Sequence, residues 1–363
     1  MSAKNTNCSR IGPTRADVAA VAWEQGIRTE LEALIRRGAG KRLPVVFDFD
    51  NTIIRGDIGE ATMAVLARSG LLTPSTLPAS LCPVFRPPGK ERHEIQSFAD
   101  AVAYYFALLA PTAHGDDDPA PYGTGYAWAV EIMAGLRVAD VVEATRSVIA
   151  LSQAQNSAFI EVTPGHTSVL VPRFYPEMVE LLAELIRQEF EVWIVSASNV
   201  WSVRYIVLHA LNPMLRERKA EAGIRPDHVI GISTLLKDER DRLFKDALLV
   251  KEDAGYANLT SGVAEKLCLT SHLQFPLPTY SGKLACIYDA IGRRPFLGAG
   301  DGPGDRAMVN ISEHQLWIEP QHGDRAQPLS ARLLHAASET NLIAPVVGLS
   351  DCAGFLGPKR ARA

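Results

Sequence analysis

Apolar residues recur at helical spacing from Val18 through Val21, Ile27, Leu31 and Leu34 to Ile35, which predicts one helix over residues 15–37, stopped by Gly38 and Gly40. A different pattern follows at once. Leu43-Pro44-Val45-Val46-Phe47 is a short, nearly unbroken apolar run that ends abruptly in Asp48-Phe49-Asp50-Asn51-Thr52. A strand buried on both faces and emerging into a polar loop has this signature. Four more strands are predicted at Val192–Val195, His228–Ile232, Pro295–Leu297 and Gln315–Ile318. Helical patterns lie between several of them, including Tyr175–Glu189 and Val200–Leu211. Strand alternating with helix predicts an α/β domain with a parallel sheet and helices on both faces. Such sheets collect ligands at the carboxyl ends of their strands.

Two stretches break the alternation. Between the first and second strands, residues 58–72, 94–110, 126–135 and 139–152 read as helical, with a loop over Pro111–Gly125. A mostly helical cap inserted after the first strand would sit over the active edge of the sheet. A second insertion, Thr234–Ser281, carries Gly, Thr and Pro and reads as a hairpin or irregular flap. The expected division is therefore an N-terminal tail and helix over 1–40, and a core made of 41–56 and 170–330. The core is interrupted by a cap over 57–169 and a flap over 234–281. Residues 331–363 read as a short helix and a tail.

Composition narrows the function classes. With 37 Lys and Arg against 41 Asp and Glu, the chain has no excess of positive charge to attract nucleic acid. Five scattered cysteines without CxxC spacing suit neither a disulfide framework nor a zinc site and fit a reducing compartment. The polar start has no leader-like apolar run, and no stretch reaches the length of a membrane span, so a cytoplasmic location is the expectation.

Four polar clusters then stand out. In Asp48-Phe49-Asp50-Asn51-Thr52, two carboxylates open into one crevice. One can attack phosphorus while the other manages a proton, with Thr52 steadying the nucleophile. Ser196 ends the second strand, and its hydroxyl, with the amides of Ala197 and its neighbours, could bind a phosphoryl group. Lys283 precedes a helical run and can neutralise such a group. Asp301 and Asp305 flank the tight turn Gly302-Pro303-Gly304 and suit a hard cation. Taken singly, each also has an ordinary role as an acidic turn, a helix cap or a surface charge.

In this fixed order, three of them directly after strands, the clusters resemble the haloacid dehalogenase-like hydrolase superfamily over residues 43–56 and 173–320. The resemblance implies a Rossmann-like core and a magnesium-dependent phosphatase. It implies Asp48 as nucleophile, Asp50 as general acid and base, and Thr52, Ser196, Ala197 and Lys283 around the phosphoryl group. Mg2+ would be held by Asp48, the backbone carbonyl of Asp50 and Asp301, with Asp305 assisting. Dehalogenating members usually lack the second aspartate, so Asp50 favours phosphatase chemistry.

The helical insertion, Asp57-Ile58-Gly59-Glu60 and Ser196-Ala197-Ser198 resemble the phosphoserine phosphatase and phosphocholine/phosphoethanolamine phosphatase branch. Asp57 and Glu60 lie three apart in the first turn of a helix and face the same way, which suits an ammonium group or simply the helix dipole. Tyr104, Tyr105, Phe106, Tyr122, Tyr126 and Trp128 offer either an aromatic cage for a cation or ordinary core. A small phosphomonoester is the expected partner, with no nucleic acid or membrane. A phosphotransferase, or a non-catalytic binding protein on the same fold, is the alternative.

Overall fold

A central sheet carries the molecule, and among the described residues its strands run in the order Ala331–His335, His314–Ile318, Leu297–Gly300, Pro44–Phe47, Glu191–Asn199 and Val229–Ile232. The computed structural model describes residues 23–75, 77, 81, 94–109, 124–154, 157–260, 262–319 and 331–335. Pro44–Phe47 pairs in parallel with both neighbours and is buried throughout, as its apolar run predicts. Its side chains alternate between two cores. Val45 and Phe47 join Leu31, Leu34 and Leu181 on one face. Val46 packs with Trp193, Val195, Ile287 and Met308 on the other. The fold is thus the α/β arrangement expected, with helices on both faces of a mainly parallel sheet.

The four other expected strands all form, with shifted ends. Leu297–Gly300 begins and ends later than the apolar run because its glycines belong to it. A Cβ on Gly298 would stand 2.4 Å from Ser312 Oγ, and one on Gly300 would stand 2.4 Å from Asp305 Cβ. Close packing of the following segment onto the strand demands glycine there. The first helix spans Gln25–Gly38, and the part expected over 15–22 lies outside the described residues.

The first insertion contains helices Ile58–Arg68, Ala101–Leu109, Thr124–Glu131 and Val138–Ala154. Most of the loop expected over 111–125, and Tyr122, lie outside the described residues. Near its end comes an antiparallel hairpin, Phe159–Thr163 with Thr167–Leu170, followed by Arg173–Phe174 pairing with Ile54–Arg55. The last pair closes the base of the insertion beside Asp48. The flap is more regular than expected. Thr234–Lys237, Leu243–Lys245 and Cys268–Leu273 form an antiparallel sheet with three short helices between its second and third strands.

Its last strand also grips the cap. Leu269 N donates to Leu136 O at 2.8 Å, while Gly135 N and Val138 N donate to Leu269 O and Leu267 O at 2.8 and 2.9 Å. Over the described residues 331–335 no helix forms. Ala331–His335 is instead an edge strand antiparallel to His314–Ile318, with Ala331 and Leu333 buried. The adjacent Leu333-Leu334 pair hides its alternation. Residues 336–363 lie outside the described residues. None of the described helices is long and apolar enough to cross a membrane.

Candidate active site

At the carboxyl end of the central strand the chain leaves the pleat, and Asp48 turns into a closed, charged pocket. Lys283 Nζ, on helix Ser281–Ala290, donates to Asp48 Oδ1 at 2.5 Å and to Asp305 Oδ1 at 2.6 Å. All three groups are buried. Thr52 Oγ1 lies 3.1 Å from Asp48 Oδ2 and 3.2 Å from Asp301 Oδ1. Asp305 Oδ2 accepts from the backbone amides of Asp301 and Gly302 at 3.0 and 3.2 Å, which fixes the Gly/Pro turn. Residues 235 positions apart in sequence thereby meet through one ammonium group.

The electrostatics are tense. Burial, then the Asp305 carboxylate, push Asp48 up from its ordinary range against the pull of Lys283. Burial, then Asp48 and Asp305, raise Asp301 in the same way. Burial alone would lower Lys283, but Asp305 and Asp48 outweigh it and hold the ammonium above its usual value. Asp48, Asp301 and Asp305 each offer an oxygen within 4.8 Å of the others. One ammonium against three carboxylates leaves two negative charges, and the donors are all hard oxygens. That set fits a small divalent cation such as Mg2+.

The side chain of Asp50 takes another direction. Its Oδ1 accepts from the Ile58 amide at 2.7 Å, at the start of helix Ile58–Arg68. Its Oδ2 accepts from Ser196 Oγ at 3.0 Å and Ser198 Oγ at 2.8 Å. The Asp50 side chain thus stands apart from the cluster of Asp48, Asp301 and Asp305. Burial, then Asp57, push the Asp50 carboxyl up to about 8. Ser196, expected to face a phosphoryl group, here also accepts from the Ser198 amide at 3.0 Å. Ala197 lines the adjoining cavity.

Asp57 caps its helix by accepting from Glu60 N at 2.8 Å, so the helix-cap reading is correct for its backbone role. Both carboxylates also border a narrow cavity, together with Met63, Tyr105, Tyr126 and Met133. Burial, then Glu60, hold Asp57 at about 8. Burial, then Asp50, hold Glu60 at about 7, against a hydrogen bond from Tyr105. The aromatic group divides. Tyr104 and Trp128 are core, their rings 5.1 Å apart, whereas Tyr105 and Tyr126 face the acids.

Two residues of the site do not stand out in the sequence. Ser198 Oγ reaches both Asp50 and, at 3.3 Å, Asp57. A signal for it exists, because strand Glu191–Asn199 continues past Ser196 and a period of two puts Ser198 on its side. Tyr280, whose ring stands 6.3 Å from that of the cavity-lining Tyr126, is the other. It has φ 49° and ψ −122°, a conformation that costs a residue with a side chain about 1–3 kcal/mol. No sequence pattern announces it.

Gly59 provides a test of the Ser198 contact. A Cβ there would stand 2.6 Å from Ser198 Oγ and turn that hydroxyl off Asp50. Gly59→Ala is expected to leave the melting temperature nearly unchanged, because a helix preference of up to about 1 kcal/mol for Ala offsets crowding against Ser198 Oγ and Cβ at 2.6 and 3.0 Å. It should lower kcat about 10- to 100-fold by loosening the hydrogen bond that positions the Asp50 carboxyl. Parallel melting curves and steady-state rates check this, and an unchanged kcat would sink it.

No family model matches the chain. A phosphorylcholine phosphatase of Pseudomonas aeruginosa is 28% identical over 337 residues, covering 89% of this chain and 88% of the relative. A conserved protein of unknown function from Anaerococcus prevotii superposes with a TM-score of 0.51 at 16% identity, over 83% of this chain and 87% of that one. A HAD family hydrolase from Salmonella enterica serovar Typhi overlaps at a TM-score of 0.35 and 11% identity, over 80% and 70% of the two chains.

The fold, the ordered acidic and basic groups and the long match together support the haloacid dehalogenase-like hydrolase superfamily. The match to a phosphatase along nearly the whole chain supports a phosphoric monoester hydrolase.

Proposed function

We propose that this enzyme removes phosphate from a small phosphomonoester with a cationic tail, through an aspartyl-phosphate on Asp48. One observation carries the reaction class: the buried Lys283 ammonium bonded at once to Asp48 and Asp305, next to Asp301. An Asp48 oxygen attacks phosphorus, the bond from phosphorus to the ester oxygen breaks, and Asp50 delivers a proton to the departing alkoxide. Asp50 then takes a proton from water as that water attacks phosphorus. The bond to Asp48 breaks and free phosphate leaves. Lys283 offsets negative charge on the phosphoryl oxygens, with Ser196 and the Ala197 amide as further donors. Mg2+ held by Asp48, the Asp50 carbonyl and Asp301, with Asp305 alongside, would supply the rest of the charge neutralisation. In this reading 41–56 and 170–330 form the catalytic core, and 57–169 its cap.

The cavity chemistry supports the tail. Among the described residues lining it, Asp57 and Glu60 are the charged ones, and no basic side chain joins them. Two like charges in a dry wall favour a cation as occupant. The similarity to a phosphorylcholine phosphatase agrees with this choice.

A panel of phosphoesters, with and without Mg2+, tests both parts. Free phosphate should appear with Mg2+, stop with a chelator, and form fastest from choline or ethanolamine esters. Asp57→Asn with Glu60→Gln should raise KM for the amine ester about tenfold or more and leave a neutral ester within about twofold. Because burial holds Asp57 and Glu60 near pH 8 and 7, a cation entering the cavity must expel protons. The KM for the amine ester should therefore fall as pH rises from about 6 to 8, and the double variant should lose that slope. Preference for a neutral sugar phosphate would overturn the substrate assignment. Product analysis with an added alcohol separates hydrolysis from phosphoryl transfer.

A further inference from the structure

We infer that Tyr280 is a specificity-determining residue, whose ring, supplied by the end of the flap, completes with Tyr126 of the cap an aromatic wall for the substrate's tail. This rests on the phosphomonoesterase reading and names a residue beyond it.

The backbone makes the first argument. Thr279 O accepts from Gly282 N at 2.8 Å, closing a tight turn whose first central residue is Tyr280. At φ 49° and ψ −122°, Tyr280 takes the position that a type II′ turn normally gives to glycine. Two residues on, glycine is present where it is needed: a Cβ on Gly282 would lie 1.9 Å from Leu277 O. The turn thus uses glycine where the space is closed and keeps a tyrosine where the backbone favours glycine. A strained side chain at a site is retained for what it touches.

What it touches is the second argument. The Tyr280 ring lies 6.3 Å from the Tyr126 ring, centroid to centroid, at 58°. Tyr126 lines the acidic cavity with Asp57 and Glu60. Burial, then Tyr280, Asp57 and Glu60, raise the Tyr126 hydroxyl above its ordinary range, as their proximity requires. Along the chain, Tyr280 stands three residues before Lys283, whose ammonium holds Asp48. Tyr280 thus has Lys283 three residues on in the chain and its ring beside Tyr126 of the tail cavity. The flap ties these parts together: Leu269, in its strand Cys268–Leu273, and Leu267 are bonded to the cap turn at Gly135–Val138, and the chain reaches the Tyr280 turn after residues 274–278. Aromatic faces attract alkylammonium groups, so the tail selected is cationic and partly apolar.

The test compares Tyr280→Gly and Tyr280→Leu with the wild type on phosphocholine and on methyl phosphate, an ester without a tail. Tyr280→Gly should melt at the same temperature or higher, since its backbone is relieved. It should lose about tenfold or more in kcat/KM for phosphocholine, chiefly through KM, and stay within about threefold on methyl phosphate. Tyr280→Leu keeps the strain and removes the ring, and should show the same selective loss. Equal losses on both esters, or none on either, would overturn the inference. Choline binding by calorimetry gives a readout without turnover. It should weaken about tenfold in both variants, and equal affinities would refute the wall. If the wild type releases phosphate from no ester, the phosphatase reading fails, while the choline comparison still decides the role of Tyr280.

Discussion

Asp48→Asn is expected to abolish phosphate release, lowering kcat at least about 10⁴-fold, while the protein remains folded. The amide is nearly isosteric with the carboxylate. It can still accept from Lys283 or Thr52, which hold the Asp48 oxygens at 2.5 and 3.1 Å. What it loses is the anionic oxygen that attacks phosphorus in the proposed mechanism. The substitution also removes one of the like charges that, after burial, push Asp301 upward. The melting temperature in chelator should therefore change little. Trapping with an ester labelled in its phosphoryl group should give acid-stable protein label in the wild type and none in the variant. Label retained in Asp48→Asn would move the nucleophile elsewhere. Residual turnover above about one per cent would do the same.

Lys283→Met should damage stability and catalysis together. Its ammonium is buried, and it is the shared partner of Asp48 and Asp305. Removing one member of such a buried network leaves carboxylates unpaired, at a cost of about 3–5 kcal/mol. The loss should be largest in chelator. Added Mg2+ should recover part of it, because a dication among Asp48, Asp301 and Asp305 replaces the missing charge. Activity should stay about 10³-fold down even with saturating Mg2+, since the metal cannot also occupy the place of the ammonium beside the phosphoryl group. Denaturation curves with and without Mg2+, read beside kcat/KM, check both halves. A variant that melts like the wild type in chelator would show that the three-way contact is not holding the site.

These two residues illustrate how much of the site is legible in the sequence. Asp48 is legible because an ordinary acidic turn does not need so pure an apolar strand in front of it. Lys283 is not legible alone, because a lysine before a helix is usually a surface charge. It becomes meaningful through its order among the other clusters, and its burial between two carboxylates is a tertiary fact. Ser198 and Tyr280 lie further out of reach. The first depends on where a strand stops, which local pattern marks poorly. The second depends on backbone dihedrals in a turn whose sequence, Pro278-Thr279-Tyr280-Ser281-Gly282, does not require them.

The same division holds for the fold. Helices and central strands follow from periodicity, because a buried face imposes its own spacing on the residues that fill it. The C-terminal edge strand and the hairpin Phe159–Thr163/Thr167–Leu170 do not, because a short strand with one exposed face leaves a brief pattern. By itself, then, the sequence determined the parallel sheet and the chain order of the acidic and basic groups. Each of these is written in local patterning or in chain order. Tertiary structure alone decided that Lys283 pairs with Asp48 and Asp305, that Asp50 turns toward Ser196 and Ser198, and that the flap grips the cap. These contacts join residues far apart in sequence, and only packing of the whole chain sets their distances and the burial that gives their charges force.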